Sequence, residues 1–505
     1  MARVKRRKLF FGICGIVLLG AGLFLFRLDP YRPHTVIASA GGCGMRVDVV
    51  EPAYGEAEGF VILLHGLSAT KRIMFYLAQG FANQNLRVFV PDLPGHGRTP
   101  GPFSPARVEA CTEALLRELR ERRAILPQKT ILAGHSMGGA LAVRLASSVP
   151  VAGVIAISPA PMSTQHGVSP EMLLFSTPKP LPSNSLVMSG GWEVASMRES
   201  AAGLVQSRGD GTSEYVVIPR ATHVSLLFDS AAAFHDRRWA SRVLHVDNSA
   251  ALPLGLQLYG SMVGLAGLIV LVVPFLAEST ASPREMAAPD EPPTRKPIVS
   301  LLQVCLVCVL AVVALQAGVP LRFLHIFQGD YLASFFFLAG LGLLAWNGRL
   351  VAESCKLPLR PILPPDFAAI ALLLLFSGWL DLTFYEAWLT APRWLRLPGV
   401  FLALLPWHLA EEILLGGRNV LGGWPRAALG LSFRALAWLA LTGGLFLLHS
   451  GEILLVLLVV YFALFFILQW LATDVVRRET RSPASAAVFG AILLAGFVLV
   501  IFPIT

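Results

Sequence analysis

Gly134-His135-Ser136-Met137-Gly138 is a G-x-S-x-G pentapeptide. It follows an apolar run, Thr130-Ile131-Leu132-Ala133, and leads into a helical stretch from Gly139 to Ala146. A sharp strand-to-helix turn puts the serine in a strained conformation, and the flanking glycines remove the clashes. The hydroxyl then projects at the carboxyl end of a sheet, near a positive helix N-terminus. The chemistry this allows is nucleophilic attack by Ser136. A serine at its free pKa is a poor nucleophile and needs a base. His223, in Ala221-Thr222-His223-Val224, follows the last strand-like run of the region and is the expected base. His65 precedes the nucleophile and serves better elsewhere. The base needs an acid that fixes its tautomer and stabilises the imidazolium. Glu193 is the first carboxylate after the run 185–188, and the chain order Ser136, Glu193, His223 suits such a triad. Glu199 and Asp210 are the alternatives. A tetrahedral intermediate needs two backbone donors for its oxyanion. One is the N–H of Met137. The other is the N–H of Leu67 in His65-Gly66-Leu67-Ser68, where Gly66 allows close approach.

These residues need a scaffold, and residues 45–245 have the texture of one. Phe60 to Leu64, Val88 to Val90, Thr130 to Ala133, Val154 to Ile157, Ser185 to Met188 and Tyr215 to Ile218 are near-continuous apolar runs. Strands buried on both faces read this way. Between them, segments such as 105–123 have helical spacing. Alternating strands and helices predict a mostly parallel sheet covered on both faces.

Leu64-His65-Gly66, Pro91-Asp92-Leu93-Pro94-Gly95-His96-Gly97-Arg98-Thr99, Gly134 to Gly139 and Thr222-His223 together resemble the α/β-hydrolase superfamily. The similarity is greatest to its monoacylglycerol-lipase-like and serine-aminopeptidase-like branch and covers about residues 55–230. It implies ester hydrolysis, less often amide or thioester hydrolysis, through an acyl-enzyme, and it implies no cofactor and no metal. The acid in that family is more often Asp, so Glu193 is a departure. Such hydrolases also insert a larger cap than residues 161–184, with Met172-Leu173-Leu174-Phe175, can form. The membrane part of the chain, or the bilayer surface, is therefore expected to complete the substrate site.

The chain has 505 residues, of which 55% are hydrophobic and 14% charged. Soluble globular proteins carry about 25% charged residues, so several membrane spans are expected. An apolar run from Leu9 to about Phe26 follows a basic cluster at 2–8 and is longer than a signal-peptide core. It reads as an uncleaved anchor, giving a tail and anchor over 1–28. Eight further apolar runs lie near 254–277, 298–318, 332–346, 366–389, 398–417, 429–449, 452–472 and 485–503, most approaching the about 20 residues a span needs. They predict an all-α membrane domain over 253–505, a region that resembles no family known to us. The net charge of +9 does not point to nucleic acid, because the basic residues flank the apolar runs. Arg284, Arg295, Lys296, Arg349, Lys356, Arg360, Arg418, Arg426, Arg477, Arg478 and Arg481 fall in alternate loops, and only Arg322, Arg393 and Arg396 in the others. The positive-inside rule then puts the N-terminus in the cytoplasm and residues 45–245 outside it, with the plasma (inner) membrane as the expected location. The linker 278–297 reads as a flexible inner loop. Cys43 and Cys111 could pair on that outer side. Cys305 and Cys308 have redox or zinc-site spacing but no companion pair, and read as small hydrophobic residues.

Charged groups inside spans are functional candidates by default. His408, Glu411 and Glu412 share a helix face. The acidic pair resembles that of intramembrane CAAX-type proteases, but Gly416 stands where an arginine would be needed. Buried pairing or snorkelling is the simpler expectation. Asp381 and Glu386 are expected to line a polar path or to pair with Arg393 or Arg396. The whole chain reads as a membrane-bound serine esterase acting on lipid-like acyl esters. A peptidase or acyltransferase, or a transporter or receptor-like protein with a ligand-sensing domain, are the competing readings.

Overall fold

A computed structural model describes residues 2–505 except 166–167, 169, 171–172, 176–178, 210, 280–295, 356–362, 416–422, 449–452 and 481. Met172, Asp210, most of the linker 278–297, and Arg284, Arg295, Lys356, Arg360, Arg418 and Arg481 thus lie outside the described residues. The chain divides into two compact units.

One unit takes in Phe24–Ser261, Leu380–Ala387 and Pro503–Thr505. Its centre is an eight-stranded sheet of β1 (His34–Ala38), β2 (Met45–Val50), β3 (Gly59–Leu64), β4 (Leu86–Pro91), β5 (Thr130–His135), β6 (Gly153–Ile157), β7 (Ser185–Gly190) and β8 (Glu214–Ile218), in the order β1-β2-β4-β3-β5-β6-β7-β8. β1–β2 and β2–β4 are antiparallel, and every other pairing is parallel. β3, β5, β6 and β7 are buried along their whole length, which is why they read as unbroken apolar runs. β1 and β2 went unseen in the sequence. β1 is exposed at four of its five positions, and Arg46 and Asp48 interrupt β2. After α1 (Ala2–Leu28), helices α2 (Phe75–Ala82), α3 (Pro105–Glu121), α4 (Met137–Ala146), α5 (Ala195–Arg208) and α6 (Ser230–Leu244) cover the sheet. Ser104 caps α3 by accepting from Arg107 N, and Asp229 caps α6 by accepting from the N–H groups of Ala231 and Ala232. The sulfurs of Cys43 and Cys111 are bonded, tying the β1–β2 link to α3, with 5.8 Å between the Cα atoms.

The expected lid is small. The described residues of 161–184 form no α-helix or strand and lie against the surface, with Met162, Val168, Phe175 and Leu181 buried. The Arg144 guanidinium, 4.8 Å from the Phe175 ring centroid, helps hold the segment down.

The second unit takes in Met1–Leu23, Met262–Trp379 and Trp388–Phe502. Among the described residues of the chain, nine helices are long and apolar enough to cross a membrane, from Leu9–Leu28 to Pro483–Ile501. Charged side chains inside this unit pair with one another. Both Glu411 oxygens accept from Arg434, at 2.8 and 3.0 Å, and His408 Nδ1 lies 3.5 Å from Glu411. Glu412 is 3.4 Å from Arg426, which also reaches Asp474. These are buried ion pairs, the simpler of the two expectations for that helix face. Breaking one would cost about 3–5 kcal/mol, since the remaining charge would be buried alone. Asp381 and Glu386, expected to pair with Arg393 or Arg396, accept from Arg98 and from Lys71 respectively. Arg393 donates to the carbonyls of Val500 and Phe502, at the carboxyl end of a helix that attracts cations, and Arg396 donates to Leu324 O. Residues 384–390, expected in part within a span of 366–389, are non-helical, and Tyr385 and Glu386 among them donate to Ser68 O and Thr70 Oγ1.

Candidate active site

β5 ends and α4 begins on either side of Ser136, whose φ of 54° and ψ of −118° few residues tolerate. Close packing enforces the turn. A Cβ on Gly138 would stand 2.2 Å from Leu64 O, and one on Gly134 would stand 2.3 Å from Gly138 O. Only glycine fits at either place. The turn is tied into the sheet by Ser136 N donating to Ile157 O, at 2.9 Å.

β7 and β8 deliver the other two side chains from the same edge of the sheet. Glu193 lies in the turn after β7, and His223 in the loop after β8. His223 Nδ1 is 2.7 Å from Glu193 Oε1. Glu193 Oε2 accepts from Gly190 N at 3.1 Å. Ser158, just after β6, donates from its hydroxyl to Glu193 Oε1 and lies 2.8 Å from His223 Nδ1. No sequence motif marks Ser158; its signal is its position at the carboxyl edge of a buried strand. Glu199 is exposed. Among the described residues, no hydrogen bond joins the Ser136 hydroxyl to the His223 ring. Such bonds are often long before substrate binds.

Two further histidines pack here as neutral groups. Burial, and then the neighbouring His223, push His135 down to about 3, and its Nε2–H donates to His223 O at 2.8 Å. Burial pushes His65 down to about 4. Both its ring nitrogens are engaged, Nδ1–H with Gly66 O and Nε2 with Leu93 N–H. His65 is thus a structural residue of the loop and not a free base.

That loop runs beside the serine. A Cβ on Gly66 would lie 3.1 Å from Ser136 Cβ. Among the described residues, the N–H groups of Leu67 and Met137 donate to no protein acceptor. Two backbone donors left without a protein acceptor, and a histidine beside a carboxylate, are the groups that holding a negative oxygen and moving a proton would need. Also among the described residues, no group of three or more His, Cys, Asp or Glu side chains is arranged to hold a metal ion.

Residues 61–272 match the sequence model of the alpha/beta hydrolase family, and this part of the chain is an α/β-hydrolase domain. The magnesium-chelatase 30 kDa subunit of Rhodobacter capsulatus is 38% identical over 134 residues, which are 26% of this chain and 44% of that protein. Pimeloyl-[acyl-carrier protein] methyl ester esterase of Yersinia enterocolitica is 31% identical over 125 residues, 24% of this chain and 45% of that protein. The chain thus spans under half the length of either curated relative. A soluble variant of monoglyceride lipase from Saccharomyces cerevisiae superposes with a TM-score of 0.34 at 15% identity, covering 44% of this chain and 99% of that one.

Proposed function

We propose that this α/β-hydrolase domain makes the chain a membrane-bound serine esterase that cleaves lipid-like acyl esters through an acyl-enzyme on Ser136. One observation carries the reading: a serine on a strained strand-to-helix turn shares a sheet edge with a histidine whose Nδ1 is 2.7 Å from a carboxylate. In this mechanism His223 takes the proton of Ser136 as Oγ attacks the ester carbonyl. The oxyanion is held by the N–H groups of Leu67 and Met137. His223 passes its proton to the departing alkoxide, then activates a water that releases the acid. Glu193 holds the imidazole in its tautomer and stabilises the imidazolium. By its name, the Yersinia relative acts on a methyl ester of an acyl group, which suits ester chemistry here.

The nine apolar helices support a membrane protein, and the Cys43–Cys111 bond suits a hydrolase domain on the extracytoplasmic side, where disulfides persist. A second reading is a hydrolase-fold domain that binds a ligand without turnover. It is favoured by the missing hydrogen bond between Ser136 and His223. A fluorophosphonate probe separates the two. The esterase reading expects labelling of the full-length protein that Ser136→Ala abolishes. A folded protein that takes up no probe would leave the binding reading.

A further inference from the structure

Residues 384–387 lie in sequence between two apolar helices, Leu363–Thr383 and Ala391–Leu415, yet together with the last four residues of the first helix they belong to the compact unit that carries Ser136. Their contacts converge on one short stretch. Tyr385 donates from its hydroxyl to Ser68 O at 2.9 Å. Glu386 N donates to Thr70 Oγ1 at 3.2 Å. The Glu386 carboxylate accepts from Lys71 Nζ and, at 3.1 Å, from Arg98 N. Lys71 Nζ also reaches Asp92, at 2.9 Å, and Lys71 N donates to the same carboxylate at 2.8 Å. Asp381 accepts from Arg98, and Leu382 O accepts from Arg72 at 3.2 Å.

Ser68, Thr70 and Lys71 are the continuation of the turn that presents the Leu67 N–H. That turn is strained, since Ser68 has a φ of 56° with a side chain to accommodate. Strained backbone persists only where its surroundings over-determine it. Here His96 Nε2 accepts from Ser68 N at 3.3 Å, fixing the peptide before the strained residue, and Tyr385 fixes the one after it. Lys71, Asp92 and Glu386 are 2%, 0% and 6% exposed, so the anchor beyond the turn is a dry ion cluster rather than a solvated pair. Gly97 is the complement of that cluster: a Cβ there would meet Asp92 Oδ2 and Glu386 Oε2 at 2.5 Å each.

We infer that the 380–387 segment is a positioning element for the oxyanion turn, with Tyr385 and Glu386 as its positioning residues. The inference rests on the esterase reading, in which the Leu67 N–H stabilises the developing oxyanion. A donor acts on the transition state and much less on bound substrate, so a misaligned turn lowers kcat and leaves KM.

The test uses the full-length protein in detergent, p-nitrophenyl butyrate as substrate and a phenylboronic acid as a reversible tetrahedral mimic. Tyr385→Phe removes one hydroxyl and keeps the ring. The expectation is a kcat about tenfold lower, a boronate Ki raised about as much, a KM within about twofold, and an unchanged melting temperature. Thr70→Val removes the acceptor for Glu386 N and should act in the same direction. Unchanged kcat and Ki in both variants overturn the inference, as does a rise in KM alone. A wild-type protein not labelled by fluorophosphonate at Ser136 overturns the esterase reading and this one with it. Equal labelling rates in wild type and Tyr385→Phe overturn only the positioning role.

Discussion

The Glu193 carboxylate and the His223 ring, 2.7 Å apart, share the Ser158 hydroxyl as a common neighbour. The Nδ1–H of His223 points at Glu193 Oε1, and Ser158 donates to that same oxygen. Glu193 Oε2 is held separately by Gly190 N–H. Two of the three groups around the carboxylate remain if Ser158 is truncated. We therefore expect Ser158→Ala to lower kcat by roughly three- to tenfold, the loss of one charge-assisted hydrogen bond weakly coupled to the rate. Glu193→Gln keeps the shape but not the charge and should cost on the order of 10³–10⁴-fold, as the wrong tautomer becomes favoured. Steady-state hydrolysis of p-nitrophenyl esters measures both. Full activity in Glu193→Gln would remove Glu193 from the mechanism.

Glu386 makes stability depend on pH in a defined window. Burial, and then the adjacent Asp92, raise it from the usual glutamate value of 4.5 to about 7. Burial raises Asp48, beside the same lysine, as well. A carboxyl that binds its proton more tightly when folded stabilises the fold while protonated. This contribution is complete below about 4.5 and is lost as pH rises through about 7. Glu386→Gln carries no titrating proton. Thermal midpoints of the wild type should fall between pH 5 and 7.5 more steeply than those of the variant. Parallel curves would show that Glu386 does not titrate there.

The Cys43–Cys111 bond closes 68 residues of chain. Cross-links of this span stabilise by about 2–5 kcal/mol, so Cys43→Ser should lower the melting temperature of the hydrolase unit. Maleimide counting of denatured protein should rise by two thiols on reduction. Two free thiols in protein taken straight from membranes would argue that the domain faces a reducing compartment.

The sheet and the residues at its carboxyl edge were more legible than what supports them. β3, β5, β6 and β7 could be read because burial on both faces demands unbroken apolar runs, and β4 and β8 because their apolar residues run together, although β8 is largely half-buried or exposed. Ser136, Glu193 and His223 could be read because each follows such a run at the same sheet edge. β1 and β2 could not, since an exposed edge strand carries no burial signal and Asp48 breaks the pattern of its neighbour. Tyr385 and Glu386 sit in an apolar stretch that reads as the end of a span. Their partners, Ser68, Thr70 and Lys71, are more than three hundred residues earlier. No local pattern reports a contact of that separation.

Residues 24–261 and 380–387 share one compact unit although several long apolar helices intervene in the chain. A ribosome delivers the serine, the histidine and the whole sheet long before it delivers Tyr385 and Glu386. In that interval Lys71 and Asp92 lack their third partner, and the turn at Ser68 lacks one of its two clamps. Completion of the turn at Ser68 is thereby placed late in biosynthesis, after the helices Leu256–Ser279, Pro297–Leu315 and Gly329–Trp346 have been made. A nascent chain halted before residue 380 would hold Ser136, Glu193 and His223 in sequence and an unfinished turn in space.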